Sequence, residues 1–392
     1  MSEYTREEIL KLIKENGGPV GLDLSGKDLS DIDLSREAIA AELKKVRERA
    51  TDETPVWYSE WTGGINLERV HLQEADLERA KLQRAKLLGA NLQKAILECA
   101  NLQGAVLECA NLQKAFMLGA NLQGAFLRDA NLQRVYLRRA NLQKAILEYA
   151  ILQGAFLGSA NLQGANMRYS HLEGVDFFIA EGLEGVYFYN AFLDGTRMRR
   201  EQLGGAIGEE LDGRYDEAKE AYLALKNNFA EIGRYRDESW AYVKERQMGK
   251  MMNHPRLARK FYAKELPENP NIWQLGWFYA RHTAKWVADW VVEWTCGYGE
   301  SVLRTLRAMV IALVSFAILY WLLGAVVDVS GNPSSGWLHC LLYSGGALTT
   351  FGVDTLRPAN DWIRALSILE SVVGIALTGL LGFVLGNRIR RS

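Results

Sequence analysis

The stretch "ANLQKAILECANLQGAVLECANLQKAFMLGANLQGAFLRD" (residues 90–129) beats every five residues. Leu92, Leu97, Leu102, Leu107 and Leu112 keep that spacing, each with an alanine two positions earlier. The beat runs from Ile65 to Phe177. A period of five matches neither the 3.6 of a helix nor the 2 of a strand. It suits a chain that turns a corner every five residues, four corners making one coil. The large and the small residue then point inward and stack, and the other three positions face out.

A second pattern overlies the first. Asn91, Asn101, Asn111, Asn121, Asn131 and Asn141 alternate with Ile96, Val106, Phe116, Phe126, Tyr136 and Ile146. A ten-residue period on a twenty-residue coil separates the two sets onto different pairs of faces. Phe116, Tyr136 and Phe156 are expected to line one outer face, an apolar surface for a protein partner.

The pattern strongly resembles the pentapeptide-repeat family, over residues 65–199. That resemblance implies a right-handed quadrilateral β-helix of roughly seven coils, on the order of 30 Å long at the spacing of paired strands. "LDLSGKDLSDIDLSR" (22–36) repeats the spacing at Leu24, Leu29 and Leu34, and the charged stretch "REAIAAELKKVRERA" (36–50) is expected to form an inserted helix. The register slips by one residue near "AEGLEG" (180–185), the mark of a bulge. Some members of the family imitate duplex DNA through a strong negative charge. Residues 65–200 lack that excess, so no nucleic-acid mimicry is expected.

The whole chain of 392 residues has a net charge of −1, room for two or three domains and no global pull toward nucleic acid. Cys99, Cys109, Cys296 and Cys340 form no CxxC pair and read as reduced thiols. The first residues, "MSEYTREEILKLIKENGG", mix charges and lack an apolar run, so no secretory signal is expected and the N-terminal part stays in the cytosol. The five histidines are dispersed, and no HExxH, GxSxG, P-loop or dinucleotide fingerprint is present. An enzyme is therefore not expected.

The beat stops near residue 203. Ala218, Tyr222, Leu225 and Phe229 share a helical stripe, and Gly233 is placed between two helices. Their spacing is similar to a tetratricopeptide-type helix pair, read here as a structural linker. Trp286, Trp290 and Trp294 share a face at helical spacing, as do Trp273 and Trp277. Indole favours the headgroup layer, so residues 283–296 are expected to lie on the cytoplasmic membrane surface.

Ala308 to Val327 is twenty residues without a charge, the length of a membrane-crossing helix. A second span is expected from about Ile363 or Ala365 to Leu385. Arg304 and Arg307 precede the first, and Arg388, Arg390 and Arg391 follow the second, which by the positive-inside rule puts both termini in the cytosol. Between them "GWLHCLLYSGGAL" (336–348) is apolar but too short to cross. It suits a re-entrant helix, followed by "TTFGVDTLRP". Residues 301–392 resemble the two-transmembrane potassium-channel pore, with its parts in order. The Gly297-Tyr298-Gly299 run imitates a selectivity filter but precedes the first span, so it is read as a tight turn.

The resemblance assigns the filter to Thr349, Thr350, Phe351, Gly352, Val353 and Asp354. Four copies would aim backbone carbonyls at an axis and replace the ion's water, with permeant cations at Thr349, Thr350, Phe351 and Gly352. No other metal and no cofactor is expected beyond a permeant monovalent cation, K⁺ favoured. Val353 stands where the family has Tyr, removing an aromatic cuff. Asp354 stands where it has Gly, which is strained if φ is positive there and supplies an acidic ring at the mouth. Glu370, the one acid within the second span, is read as supporting the pore helix from behind. Gly374 is read as a gate hinge, on the small-residue stripe Gly374, Thr378, Gly382, Gly386.

The expected fold class is multidomain: a right-handed quadrilateral β-helix, an α-helical connector and an α-helical two-span pore domain with a re-entrant pore helix. The domains are 1–64 (cap with partial repeats), 65–200 (β-helix), 201–300 (connector) and 301–392 (pore). The expected function is a homotetrameric cation channel in the plasma (inner) membrane, with the β-helix as regulatory or assembly domain. The altered filter keeps open a second reading, a non-conducting membrane-anchored scaffold.

Overall fold

A computed structural model describes residues 4–16, 22–30, 32, 65–334 and 336–390. The chain forms two compact units, Met1–Met248 and Gly249–Ser392.

The first unit opens with α1 (Arg6–Glu15). Thr5 starts it through a capping box, its N–H donating to Glu8 Oε2 at 2.7 Å while its Oγ1 accepts from Glu8 N at 3.3 Å. Ile9 and Ile13, four apart and buried, join the same apolar cluster as Leu24, Leu29 and Leu67. Asp23 and Asp28 pair with His71 and Asp76, so the early fragment stacks as part of the first coil. Leu34 and the proposed inserted helix at 36–50 lie outside the described residues.

From Asn66 to Asn161, parallel bridges recur every five residues along the chain, each joining a residue to the one 20 further on. This is the coil that the period required. Leu92 N donates to Asn111 O at 2.8 Å, Asn111 N to Ala90 O at 2.9 Å, and Ala95 N to Leu92 O at 3.0 Å. Each five-residue unit thus satisfies its backbone within the coil and against its neighbours. The inward leucines and alanines are almost completely buried. Most corners hold one residue with φ near +55° to +70°, for instance Lys94, Cys99 and Gly104.

The recurring Asn and Gln have a physical cause. Asn91, Asn101 and Asn111 accept from the backbone N–H two residues on, fixing the corner. Gln93, Gln113, Gln133 and Gln153 form a side-chain ladder that ends on Glu173, with steps of 2.9 to 3.1 Å. A second ladder runs from Gln103 through Gln123, Gln143 and Gln163 to Glu184. The slip at 180–185 is real. Pair spacing changes from 20 at Asn161↔Glu181 to 21 at Asn166↔Tyr187.

An open coil end leaves unpaired backbone groups. Here side chains from the following helical segment fill them. Gln202 Nε2 donates to Phe177 O and Ala180 O, Asn228 Nδ2 to Thr196 O, and Tyr189 N donates to buried Glu209 Oε1 at 2.7 Å. Burial raises the Glu209 pKa; the Tyr189 N–H and Arg168 oppose that shift. After α2 (Gly208–Leu211), α3 (Tyr215–Glu231) and α4 (Tyr235–Met252) form the expected pair, with Gly233 at φ 73° between them. Ala218, Tyr222, Leu225 and Phe229 are its buried stripe.

The second unit contains α5 (Ala258–Tyr262), α6 (Ile272–Cys296), α7 (Val302–Leu322), β1 (Val326–Asp328), α8 (Trp337–Thr349), β2 (Leu356–Pro358) and α9 (Asp361–Arg390). The Trp-rich helix is longer than the expected 283–296 and takes in Trp273 and Trp277. Asn271 caps it, accepting from Gln274 N at 2.8 Å. The first span is shifted from the expected 308–327. Ser301 caps α7 at its start, and Gly324 (φ 56°) breaks the run beyond its end. Val326 and Val327 instead enter an antiparallel pair, Val326↔Pro358 and Val327↔Arg357. That hairpin brackets α8 and the segment after it.

Candidate functional site

Among the described residues, α7 and Asp361–Ile389 of α9 are the helices long and apolar enough to cross a membrane. Most of each helix is uncovered within one copy, including Val310, Val314 and Ile318 on α7 and Ile368, Val372 and Ile375 on α9. Three exposed tryptophans mark one end: Trp321 at the end of α7, Trp337 at the start of α8 and Trp362 at the start of α9.

Helix α8 is the 13-residue segment expected between the spans, and it packs on both. It stops because Thr350 adopts φ 62°. Gly352 follows at φ 67°, and Asp354 is outside the left-handed region. The strain anticipated at Asp354 is therefore absent, and Thr350 is the non-glycine residue that bears it. Gly352 N donates back to Gly346 O at 3.1 Å. Thr349 Oγ1 donates to Gly345 O and Thr350 Oγ1 to Thr349 O, both at 2.6 Å. These bonds fold residues 350–353 against the last turn of α8. A Cβ on Gly346 would lie 2.6 Å from Val353 Cγ2, so glycine is required there. Thr349, Thr350, Phe351, Gly352 and Asp354 are exposed within one copy, and Val353 is half-buried.

Behind this segment, Glu370 is fully buried. Tyr320 of α7 donates to its Oε2 at 2.7 Å, and Ser344 of α8 hydrogen-bonds its Oε1. Ser344 Oγ also lies 2.9 Å from Leu313 O. One carboxyl group thus links all three helices. Next to it on α9, Ser371 Oγ lies 2.9 Å from Ala347 O of α8 and 2.9 Å from Ser367 O of its own helix, and its hydroxyl can donate to either. Gly374 then meets α8 so closely that a Cβ would sit 1.8 Å from Leu348 O. Close approach is a sufficient reason for glycine at 374, whereas Gly382 and Gly386 of the same stripe have no neighbour within 4 Å.

The Gly297-Tyr298-Gly299 run is a turn. Its three residues have φ 57°, 58° and 87°, and it joins α6 to α7. Gly299 lies against Phe383 of α9, where a Cβ would approach the ring to 2.8 Å. Arg304 Nη1 donates to Glu293 O at 2.9 Å and Arg307 Nη2 to Trp294 O at 3.2 Å. The two arginines therefore cap the end of α6. Nearby, His282 is buried between Tyr262 and Phe278, with Nδ1 2.7 Å from Asn253 Oδ1 and Nε2 3.6 Å from Glu265.

On the β-helix, Phe116, Tyr136 and Phe156 form the expected exposed ladder, successive ring centroids 4.8 Å apart and nearly parallel. Sequence reasoning missed Tyr320, Ser344, Gly346 and Ser371. The polar residues Ser344 and Ser371 inside apolar runs, and the Gly345-Gly346 pair within a predicted helix, were the available signals.

Residues 63–98, 85–124, 117–151 and 140–177 match the pentapeptide-repeat family, in 8 copies, and residues 315–391 match the ion channel family. None of the curated proteins compared matches the chain. Among solved structures, the chain is similar to HetL, a pentapeptide repeat protein involved in heterocyst differentiation regulation from Nostoc sp. strain PCC 7120. The identity is 25% over 50% of this chain and 91% of that one, with a TM-score of 0.35. It is also similar to Rfr23 from Cyanothece 51142, at 27% identity over 38% of this chain and 93% of that one, TM-score 0.24. Trypsin-treated QnrB1, a plasmid-mediated fluoroquinolone resistance protein, has 16% identity over 49% of this chain and 89% of that one, TM-score 0.31.

Proposed function

We propose that this chain, which joins pentapeptide repeats to an ion-channel domain, is a homotetrameric cation channel. Two spans cannot enclose a conduit, so several copies must surround one axis. The observation that carries the reading is the segment Thr349–Asp354, held at the end of α8 by left-handed turns and braced from behind by α9. Irregular backbone at membrane depth is tolerated where it lines a cavity or is buried in protein. Residues 349–352 supply the carbonyl rings, α8 is the re-entrant pore helix, and its carbonyl end favours a cation.

Glu370 acts as the brace that keeps α8 registered on α7 and α9. Four exposed Asp354 carboxylates raise the cation concentration at the mouth, and K⁺ is the favoured permeant ion. Trp321, Trp337 and Trp362 mark the outer headgroup level, α6 lies at the inner one, and both termini are cytoplasmic in the plasma membrane. The β-helix, right-handed and quadrilateral, is the cytosolic assembly or regulatory domain, with the Phe116–Tyr136–Phe156 ladder available to a protein partner.

Reconstitution into liposomes with K⁺, Na⁺ and Ca²⁺ flux measured in turn tests this. K⁺ flux at or above Na⁺ flux, with no anion flux, is expected. A purified tetramer that passes no ion would overturn conduction and leave a membrane-anchored scaffold.

A further inference from the structure

His282 lies within α6 and is fully buried. Its ring stacks on Tyr262, centroids 4.5 Å apart, and meets Phe278 at the same separation. The neighbours fix its tautomer. Asn253 Nδ2 donates to Gly249 O at 3.0 Å, which turns Asn253 Oδ1 toward the imidazole. An amide oxygen can only accept, so at 2.7 Å it takes the hydrogen of His282 Nδ1. In the neutral ring Nε2 is then an acceptor. It is buried and makes no hydrogen bond. What it faces is a carboxylate oxygen, Glu265 Oε2 at 3.6 Å. Acceptor confronts acceptor, and one proton on Nε2 would convert the contact into an ion pair.

The surroundings decide how that proton acts. Burial is the largest influence and disfavours the charged ring; Lys285 and Arg281 of α6 also oppose it, and Glu265 favours it. Glu265 is already engaged by Arg281 at 3.2 Å, so pairing with an imidazolium would draw it off that partner. From the other elements, Asn253 after α4 is uncharged. Tyr262 of α5 stays a neutral phenol, pushed up by burial and then by Glu265, with Asp289 adding to the shift. The charged ring is therefore better accommodated in water, with α6 parted from residues 253–265. With a pKa of 6.5 when released and a lower one when held, the ring shifts that balance by up to about tenfold between pH 7.5 and pH 5.5. Helix α6 carries the effect onward. It ends at the 297–299 turn, where Gly299 lies against Phe383 of α9, and Arg304 and Arg307 of α7 donate to its Glu293 and Trp294 carbonyls. Freeing α6 at His282 loosens what holds the bases of both spans.

We propose that His282 is a proton-operated latch: acid on the cytosolic side releases α6 from residues 253–265 and thereby alters conduction through the spans. The release stands on the buried contact alone, whereas its effect on conduction rests on the channel reading.

The test measures hydrogen exchange on the full-length chain in lipid nanodiscs at pH 7.5 and pH 5.5, corrected for the intrinsic pH dependence of exchange. Peptides covering residues 253–286 should lose protection at pH 5.5 by about threefold to tenfold in the wild type and keep it in His282→Gln. No loss in the wild type, or the same loss in both, overturns the latch. Should His282→Gln fail to fold, Glu265→Gln decides. It keeps the imidazole and removes the carboxylate that favours its charge, so the midpoint of the wild-type response must move to lower pH. An unmoved midpoint overturns the latch. In parallel, K⁺ flux from liposomes should change at least about threefold over the same pH step in the wild type and stay level in His282→Gln. An exchange response with pH-independent flux overturns the link to conduction. An exchange response in a protein that passes no ion at either pH supports the latch and overturns the channel reading instead.

Discussion

Replacing Gly374 by alanine separates a packing role from a hinge role. The new Cβ would lie 1.8 Å from Leu348 O and 2.7 Å from its carbonyl carbon. Real Cβ contacts essentially never fall below 3.0 Å, so the last turn of α8 and α9 must part by at least about 1.2 Å. A shift of that size along the contact stretches the 2.9 Å bond from Ser371 to Ala347 O to about 4 Å, which breaks it. Overpacking costs about 1–3 kcal/mol per copy, and the lost contact adds little because the Ser371 hydroxyl keeps Ser367 O as an acceptor at 2.9 Å. Thermal unfolding in nanodiscs should show a lowered midpoint, and single-channel recording a reduced unit current. Gly382→Ala, with no neighbour within 4 Å, should leave both unchanged or raise the midpoint slightly. Wild-type midpoint and unit current in Gly374→Ala, with only open probability altered, would refute the packing argument and restore the hinge.

Three further outcomes are expected. Tyr320→Phe and Ser344→Ala each remove a hydroxyl from Glu370, costing about 1.5–3 kcal/mol, and a double-mutant cycle should show coupling above about 0.5 kcal/mol because both act on one carboxyl group. Additive melting shifts would mean that Glu370 does not join the helices. Asp354→Asn should lower K⁺ conductance and weaken block by divalent cations, and unchanged currents in both respects would remove Asp354 from the mouth. Burial holds the His282 pKa below the ordinary value of 6.5; Lys285 and Arg281 push the same way, while Glu265 pulls upward. The unfolded chain therefore takes up a proton first as pH falls, so the stability of the α5–α6 region is full above about 6.5 and declines below it. Melting curves between pH 8 and pH 5 should show that decline in the wild type and a flatter profile in His282→Gln.

Much of this architecture was legible because short periods report local geometry. A residue that must point inward every fifth position leaves its mark directly, and so does a charge-free run of membrane length. The Thr-Thr-x-Gly signal after a short apolar run likewise located the bend at 350–352. What escaped reading depends on contacts distant in the chain. The hairpin Val326–Asp328 with Leu356–Pro358 pairs residues about thirty apart, and its valines looked like the tail of a span. Tyr320, Ser344 and Glu370 converge only once three helices are packed. Gly374 carried two meanings that sequence cannot separate, flexibility and close approach. The Gln ladders and their endings on Glu173 and Glu184 emerge only when the coils stack.

The coil also behaves as an indexed dial. Each unit of five residues turns one corner and four units complete a revolution. Inserting one unit would therefore swing everything downstream through a quarter turn, while inserting four would lengthen the spindle and leave the heading unchanged. The single added residue between Glu181 and Tyr187 is absorbed without such a swing, because Leu162 N straddles the carbonyls of Glu181 and Gly182. Natural or engineered changes in length should consequently be tolerated in steps of a full revolution and penalised at fractions of one.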